Sequence, residues 1–104
     1  MNPLTHNKEW TMDEMSSGAV YGIFDTKAKA YVGNVLMIHK TDNVAIRSFT
    51  DIAKMHQSAI GNHIEDYNLI RVGYLTLDND FILEEETILT GTQWKNSQPE
   101  DDNA

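Results

Sequence analysis

The residues of this 104-residue chain with metal or acid–base potential are four histidines and sixteen carboxylates. His39, His56 and His63 could meet a metal together with Glu65 or Asp66, but their spacings match no compact ligand motif, and they read as surface or helix-edge histidines. Asp78, Asp80, Glu84, Glu85 and Glu86 have the oxygens a hard cation needs. They lack the twelve-residue loop with its central Gly and terminal bidentate Glu, so they read as a solvated turn and a charged edge that discourages sheet-to-sheet aggregation. Ser16, Ser17, Ser48, Ser58 and Ser97 occupy no nucleophile elbow, and the glycines are scattered singly rather than gathered into a phosphate loop. The chain has no cysteine, which excludes disulfides, zinc–thiolate sites and thiol catalysis. The expectation is a non-enzymatic protein with no cofactor and no metal.

Binding chemistry is better represented. Lys27 and Lys29 flank a turn beside Tyr31, and Arg47 and Lys54 fall on the outer side of a helix. Cations interleaved with aromatic rings are what a single-strand binder uses, stacking bases while neutralising phosphates. The formal charge of −8 opposes that chemistry on average, because phosphate contact needs cations. The charge is segregated, however. Between Lys27 and Lys54 five cations face only Asp42 and Asp51, whereas Asp78 to Glu86 holds five carboxylates and no cation. A local basic patch is therefore the only route to nucleic acid. The acidic run fits the opposite reading, a protein–protein adaptor or DNA mimic that meets basic partners.

These groups must be positioned by a single domain, since the length excludes a two-domain enzyme, a TIM barrel and a full dinucleotide-binding fold. Residues 1–18 have no helical or strand period and read as a flexible extension, in which Trp10, Met12 and Met15 are isolated apolar residues. Ala19 to Asp25 reads as a strand, Thr26 to Lys29 as a turn, and Ala30 to Ile38 as a second strand broken near Gly33-Asn34. Ala45, Phe49, Ile52, Ala53 and His56 make one helical stripe, which predicts a helix from about Asp42 to Gln57. Thr41-Asp42-Asn43 would cap it, with Arg47–Asp51 and Asp51–Lys54 as exposed ion pairs and Ser58 to Asp66 as the exit loop. In the strand Asn68 to Leu77, alternation sends Leu69, Arg71, Gly73 and Leu75 one way and Ile70, Val72 and Tyr74 the other. Asp78-Asn79-Asp80 is a turn, and Phe81 to Leu83 and Thr87 to Thr90 are further strand pieces.

The predicted fold is α+β: a small antiparallel sheet with one helix across a face, in the order strand, strand, helix, strand, strand. The domain spans 19–94, and residues 95–104 have the composition of an acidic disordered tail. No stretch approaches the roughly 20 apolar residues that cross a bilayer, and the first ten residues lack signal-peptide character. The expectation is a soluble, cytoplasmic protein that does not engage membranes. At 40% hydrophobic content a homodimer would help to complete its core.

Three strings carry a resemblance. Ile23-Phe24-Asp25-Thr26-Lys27-Ala28-Lys29-Ala30-Tyr31, Asp42-Asn43-Val44-Ala45-Ile46-Arg47-Ser48-Phe49-Thr50-Asp51 and His63-Ile64-Glu65-Asp66-Tyr67-Asn68-Leu69-Ile70-Arg71-Val72-Gly73 occur in that order. Over roughly residues 20–83 the chain resembles the non-structural, DNA-binding protein of gokushovirus-type microviruses, phages with circular single-stranded DNA. The resemblance implies an accessory protein of single-stranded genome synthesis or packaging in the cytoplasm of the infected bacterium, absent from the mature virion. The matching polar positions are Asp25, Lys27, Arg47, Ser48, Thr50, Asp51, Glu65, Asp66 and Arg71. The chain departs from the pattern in residues 1–18, which look like an addition, and in Val35-Leu36-Met37, where a Pro- and Phe-containing stretch is expected. The candidate nucleic-acid-binding set is thus Lys27, Lys29, Tyr31, Arg47, Lys54 and Arg71, with single-stranded DNA as the partner.

Overall fold

The computed structural model describes residues 16–99. Trp10, Met12, Met15 and most of the expected extension, together with the Glu100-Asp101-Asp102 end of the tail, lie outside the described residues. Strands β1 (Ser16–Asp25) and β2 (Ala30–His39) form a hairpin, followed by helix α1 (Asp42–Ala53), a short α2 (Ala59–Asn62) and a 3-10 turn (Ile64–Asp66). Strands β3 (Tyr67–Thr76) and β4 (Phe81–Thr90) form a second hairpin, and helix α3 (Gly91–Ser97) follows. Among the described residues the strands make one antiparallel four-stranded sheet in the order β2-β1-β3-β4. The α+β class and the element order agree with the expectation.

One face of the sheet is covered. α1 lays Ala45, Phe49 and Ala53 against it, and the two alanines let the helix approach closely. Tyr21, Ile23, Phe49 and Leu69 are fully buried in this layer. The apolar stripe extends to Ala53 only. Lys54 and Met55 close the last turn onto Thr50 and Ile52, and Ser58 begins α2 as its N-cap, its Oγ accepting from the Gly61 amide at 2.9 Å. The polar His56-Gln57 pair has no apolar face to continue the stripe, so the helix ends short of the expected Gln57.

Two further corrections concern the strands. β2 is continuous through Gly33-Asn34, and the expected break appears as a bulge: from Gly22↔Leu36 to Phe24↔Tyr31 the register advances two residues on β1 and five on β2. In β3 the register steps from Tyr21↔Arg71 to Val20↔Gly73, which leaves Val72 as an extra residue. That bulge reverses the alternation beyond it. Tyr74 joins Leu69 and Arg71 on the helix face, while Gly73 moves to the open face with Ile70. β4 runs unbroken through Glu84-Glu85-Glu86, because an edge strand can carry charge on residues that solvent reaches.

The expected start of the disordered tail is also structured. Thr90 and Gln93 form a capping box: the Thr90 hydroxyl accepts from the Gln93 amide and the Gln93 side chain accepts from the Thr90 amide, both at 2.9 Å. α3 thereby delivers Trp94 into the core.

Candidate nucleic-acid interface

Asp42 is the first residue of α1, directly after the N-cap Thr41, whose side chain makes no capping bond. The Asp42 carboxylate turns to the sheet. Oδ1 accepts from the Tyr21 hydroxyl at 2.5 Å and from Arg71 Nη1 at 2.9 Å, and Oδ2 accepts from the same Nη1 at 2.7 Å. Arg71 Nη2 donates to Glu86 on β4. The guanidinium also lies 5.1 Å from the centre of the Tyr74 ring, a contact that the Val72 bulge makes possible. Burial works against the Arg71 charge, but the Asp42 hydrogen bond and charge overcome it and raise its pKa. Burial and the Asp42 hydrogen bond together push the Tyr21 phenol far up. Beside this cluster the His39 ring sits 6.0 Å from that of Tyr21, and its buried Nε2 has no hydrogen-bond partner among the described residues.

Arg71 is therefore a structural cation. Its side chain is only 13% exposed and two carboxylates neutralise it, so it is withdrawn from the candidate set. Sequence could not show this, because the bond to Asp42 joins residues 29 positions apart.

Tyr31 leaves the edge strand β2 across the open face. Its ring packs edge-on to Phe24 with centroids 5.2 Å apart, and it covers Gly22, where an added Cβ would lie 2.9 Å from the ring. Its hydroxyl donates to Glu85 of β4 at 2.6 Å. Burial, then this bond, pushes the phenol up to about 12. Tyr31 thus braces the open face, although the ring remains partly exposed.

The remaining candidate cations have a different setting. The β1–β2 turn is rigid: Asp25 Oδ1 accepts from the Lys27 and Ala28 amides at 2.9 and 3.0 Å, and Lys29 takes the left-handed conformation at φ 58°. The Thr26 amide and hydroxyl anchor it to the Asp66 carbonyl at 2.8 and 2.9 Å. Between this turn and the end of α1 lies an apolar cleft of about 500 Å³, lined by Tyr31, Val32, Val35, Ile52, Met55 and Tyr67 among others. Ala28, which also lines it, is flanked by Lys27 and Lys29, and Lys54 directly precedes Met55. Arg47 is seven residues before Lys54, which is two helical turns or about 10 Å along the same side of α1. Lys27, Lys29, Lys40, Arg47 and Lys54 are exposed and, among the described residues, none has a carboxylate within salt-bridge distance. The expected Arg47–Asp51 and Asp51–Lys54 pairs do not form. Such exposed pairs return only a few tenths of a kcal/mol against the entropy of fixing two long side chains. Apart from Tyr31, the cleft residues are not singled out in the sequence, and Lys40 is only counted within the basic stretch.

The matched acids hold the framework as well. Asp25 organises the turn, and Glu65 pairs with Lys95 at 3.2 Å. The Glu65 backbone hydrogen bond and then Lys95 lower that carboxyl. Alternation splits the β4 acids: Glu84 and Glu86 act on the Tyr74 phenol from the helix face, while Glu85 serves Tyr31 on the other. Among the described residues, no three His, Asp or Glu side chains converge as a metal site, and no helix is long and apolar enough to cross a membrane.

The fold defines a small α+β protein with an apolar cleft between its first hairpin turn and the end of α1. The model of the family described as Phage ORF5 protein matches residues 18–91. The chain belongs to that phage family. No curated protein and no solved structure matches it.

Proposed function

We propose that this phage protein is an accessory factor that binds single-stranded DNA weakly and without sequence preference, at the cleft between the β1–β2 turn and the end of α1. One observation supports the reading: among the described residues Lys27, Lys29, Arg47 and Lys54 have no carboxylate within salt-bridge distance, and three of them directly adjoin residues of an apolar cleft whose lining includes Tyr67. Lys27, Lys29 and Lys54, with Arg47 further along α1, would neutralise phosphates while a base rests against the cleft. Arg71 takes no part. In this reading the protein serves single-stranded genome synthesis or packaging of a gokushovirus-type microvirus, in the host cytoplasm and outside the mature virion. An acidic adaptor would need one continuous negative face, and alternation along β4 divides its carboxylates between two.

The test is oligonucleotide binding across a salt series. Two to four neutralised phosphates give a log–log slope of roughly −1.4 to −2.8 on single strands, and duplex DNA binds more weakly. Lys27→Glu with Lys54→Glu removes two contacts and flattens the slope by about 1.4. No binding at ~50 mM salt, or binding that the double reversal leaves unchanged, would refute the reading.

A further inference from the structure

The sheet face opposite α1 is apolar, and among the described residues no element covers it. Leu36 and Ile38 on β2 are 69% and 62% exposed, and Leu83 on β4 is 69% exposed with Phe81 beside it. Val20 and Ile70 lie between these two walls. On the central strands, Gly22 and Gly73 carry nothing, and the rings of Tyr31 and Phe81 lean over them. Gly73 is held to Gly by β4 itself, since an added Cβ would lie 2.1 Å from the Ile82 carbonyl. Among the described strand residues, Glu85 is the one charged group on this face, and Tyr31 already binds it.

We infer that this face is covered by a second copy of the chain, packed sheet on sheet about a twofold axis along the strands. Two arguments select that occupant. The first is area. Four strands of ten residues present about 19 by 33 Å, or roughly 600 Å² from each copy, which reaches the lower end of specific interfaces and the upper end of what monomers leave bare.

The second is charge. Two chains at −8 repel each other over most of their surfaces, and this nearly uncharged face is where they can meet. A twofold axis along the strands sets β2 of one copy over β4 of the other and preserves level along the strands. His39 and Ile82 are level, both being registered through Ala19 and Tyr74. Lys40 of each copy therefore comes opposite Asp78 and Asp80 of the other, at both edges of the interface. Lys27, Lys29, Arg47 and Lys54 stay outside this interface and only Lys40 enters it, so this inference stands apart from the DNA reading.

Size-exclusion chromatography with light scattering on the full chain tests it. The expected species at ~50 µM has twice the 11.8 kDa chain mass. Leu36→Lys with Leu83→Lys should give a monomer with unchanged circular dichroism and unchanged oligonucleotide affinity per chain, because both side chains are solvated in the monomer. Lys40→Glu should weaken the dimer about tenfold, and adding Asp78→Lys should restore it. A wild-type monomer at ~50 µM overturns the inference, as does a dimer that survives the leucine substitutions. If the full chain is monomeric and dimerises only when residues 1–15 are deleted, the inference is likewise overturned and the face belongs to that segment. Failure of the Lys40–Asp78 exchange would overturn the twofold arrangement.

Discussion

Asp42→Asn is the substitution that best tests the polar cluster beneath α1. It keeps the shape of the side chain and removes the charge that Tyr21 and Arg71 share. Hydrogen bonds to charged groups contribute about 1.5–3 kcal/mol each when buried, but the Asp42 side chain is 40% exposed, and water replaces part of what is lost. Arg71 also keeps Glu86 as a partner. The expected loss is about 2 kcal/mol, which lowers Tm by roughly 8–16 °C for a domain of this size. Urea unfolding of Asp42→Asn, Arg71→Met and the double variant measures the shared part. Arg71→Met fills the slot without a charge, so the double variant should lose less than the singles combined, with a coupling of about 1–2 kcal/mol. A loss below about 0.5 kcal/mol for Asp42→Asn, or strict additivity, would show that the cluster is solvent-screened and does not hold α1 to the sheet.

Trp94→Ala should cost about 3–5 kcal/mol in chemical denaturation, because α3 buries this ring in the main core; a loss under 1 kcal/mol would detach α3 from the fold. All four tyrosines have phenol pKa values raised above the ordinary 10, each chiefly by burial. Since the folded values exceed the unfolded ones, the stabilisation is complete below pH 10 and is lost as pH rises through the folded values, about 12 for Tyr31. A tyrosinate absorbance titration should therefore show no step at pH 10, and ionisation should accompany unfolding at higher pH. A normal step at pH 10 in folded protein would contradict the burial of these rings.

Much of the architecture was legible because it rests on periodicity. Ala45, Phe49 and Ala53 mark one face of a helix, and the β-branched runs around Val20 and Ile70 mark strands, whatever their tertiary setting. What escaped depends on neighbours distant in sequence. Val72 resembles any strand valine, and only pairing with β1 reveals it as the extra residue that turns Tyr74 inward. Glu84-Glu85-Glu86 has the composition of a loop, yet one hydrogen-bonded edge suffices to keep it extended. α3 did leave a signal, the Thr90 and Gln93 spacing of a capping box, hidden by the polar residues around it. Counting cations located the basic stretch, but counting cannot separate a free Lys27 from an Arg71 held by two carboxylates.

The extra residue in β3 also governs where the chain can change length. Removing Val72 would do more than shorten a strand. It would swing every residue from Gly73 to Thr76 to the opposite side, exposing the Tyr74 phenol and driving Leu75 into the helix layer. The Asp78–Asp80 turn, by contrast, projects into solvent and is bound mainly by its own backbone and Thr76. Insertions and deletions are thus absorbed at the tip of the second hairpin and rejected seven residues earlier.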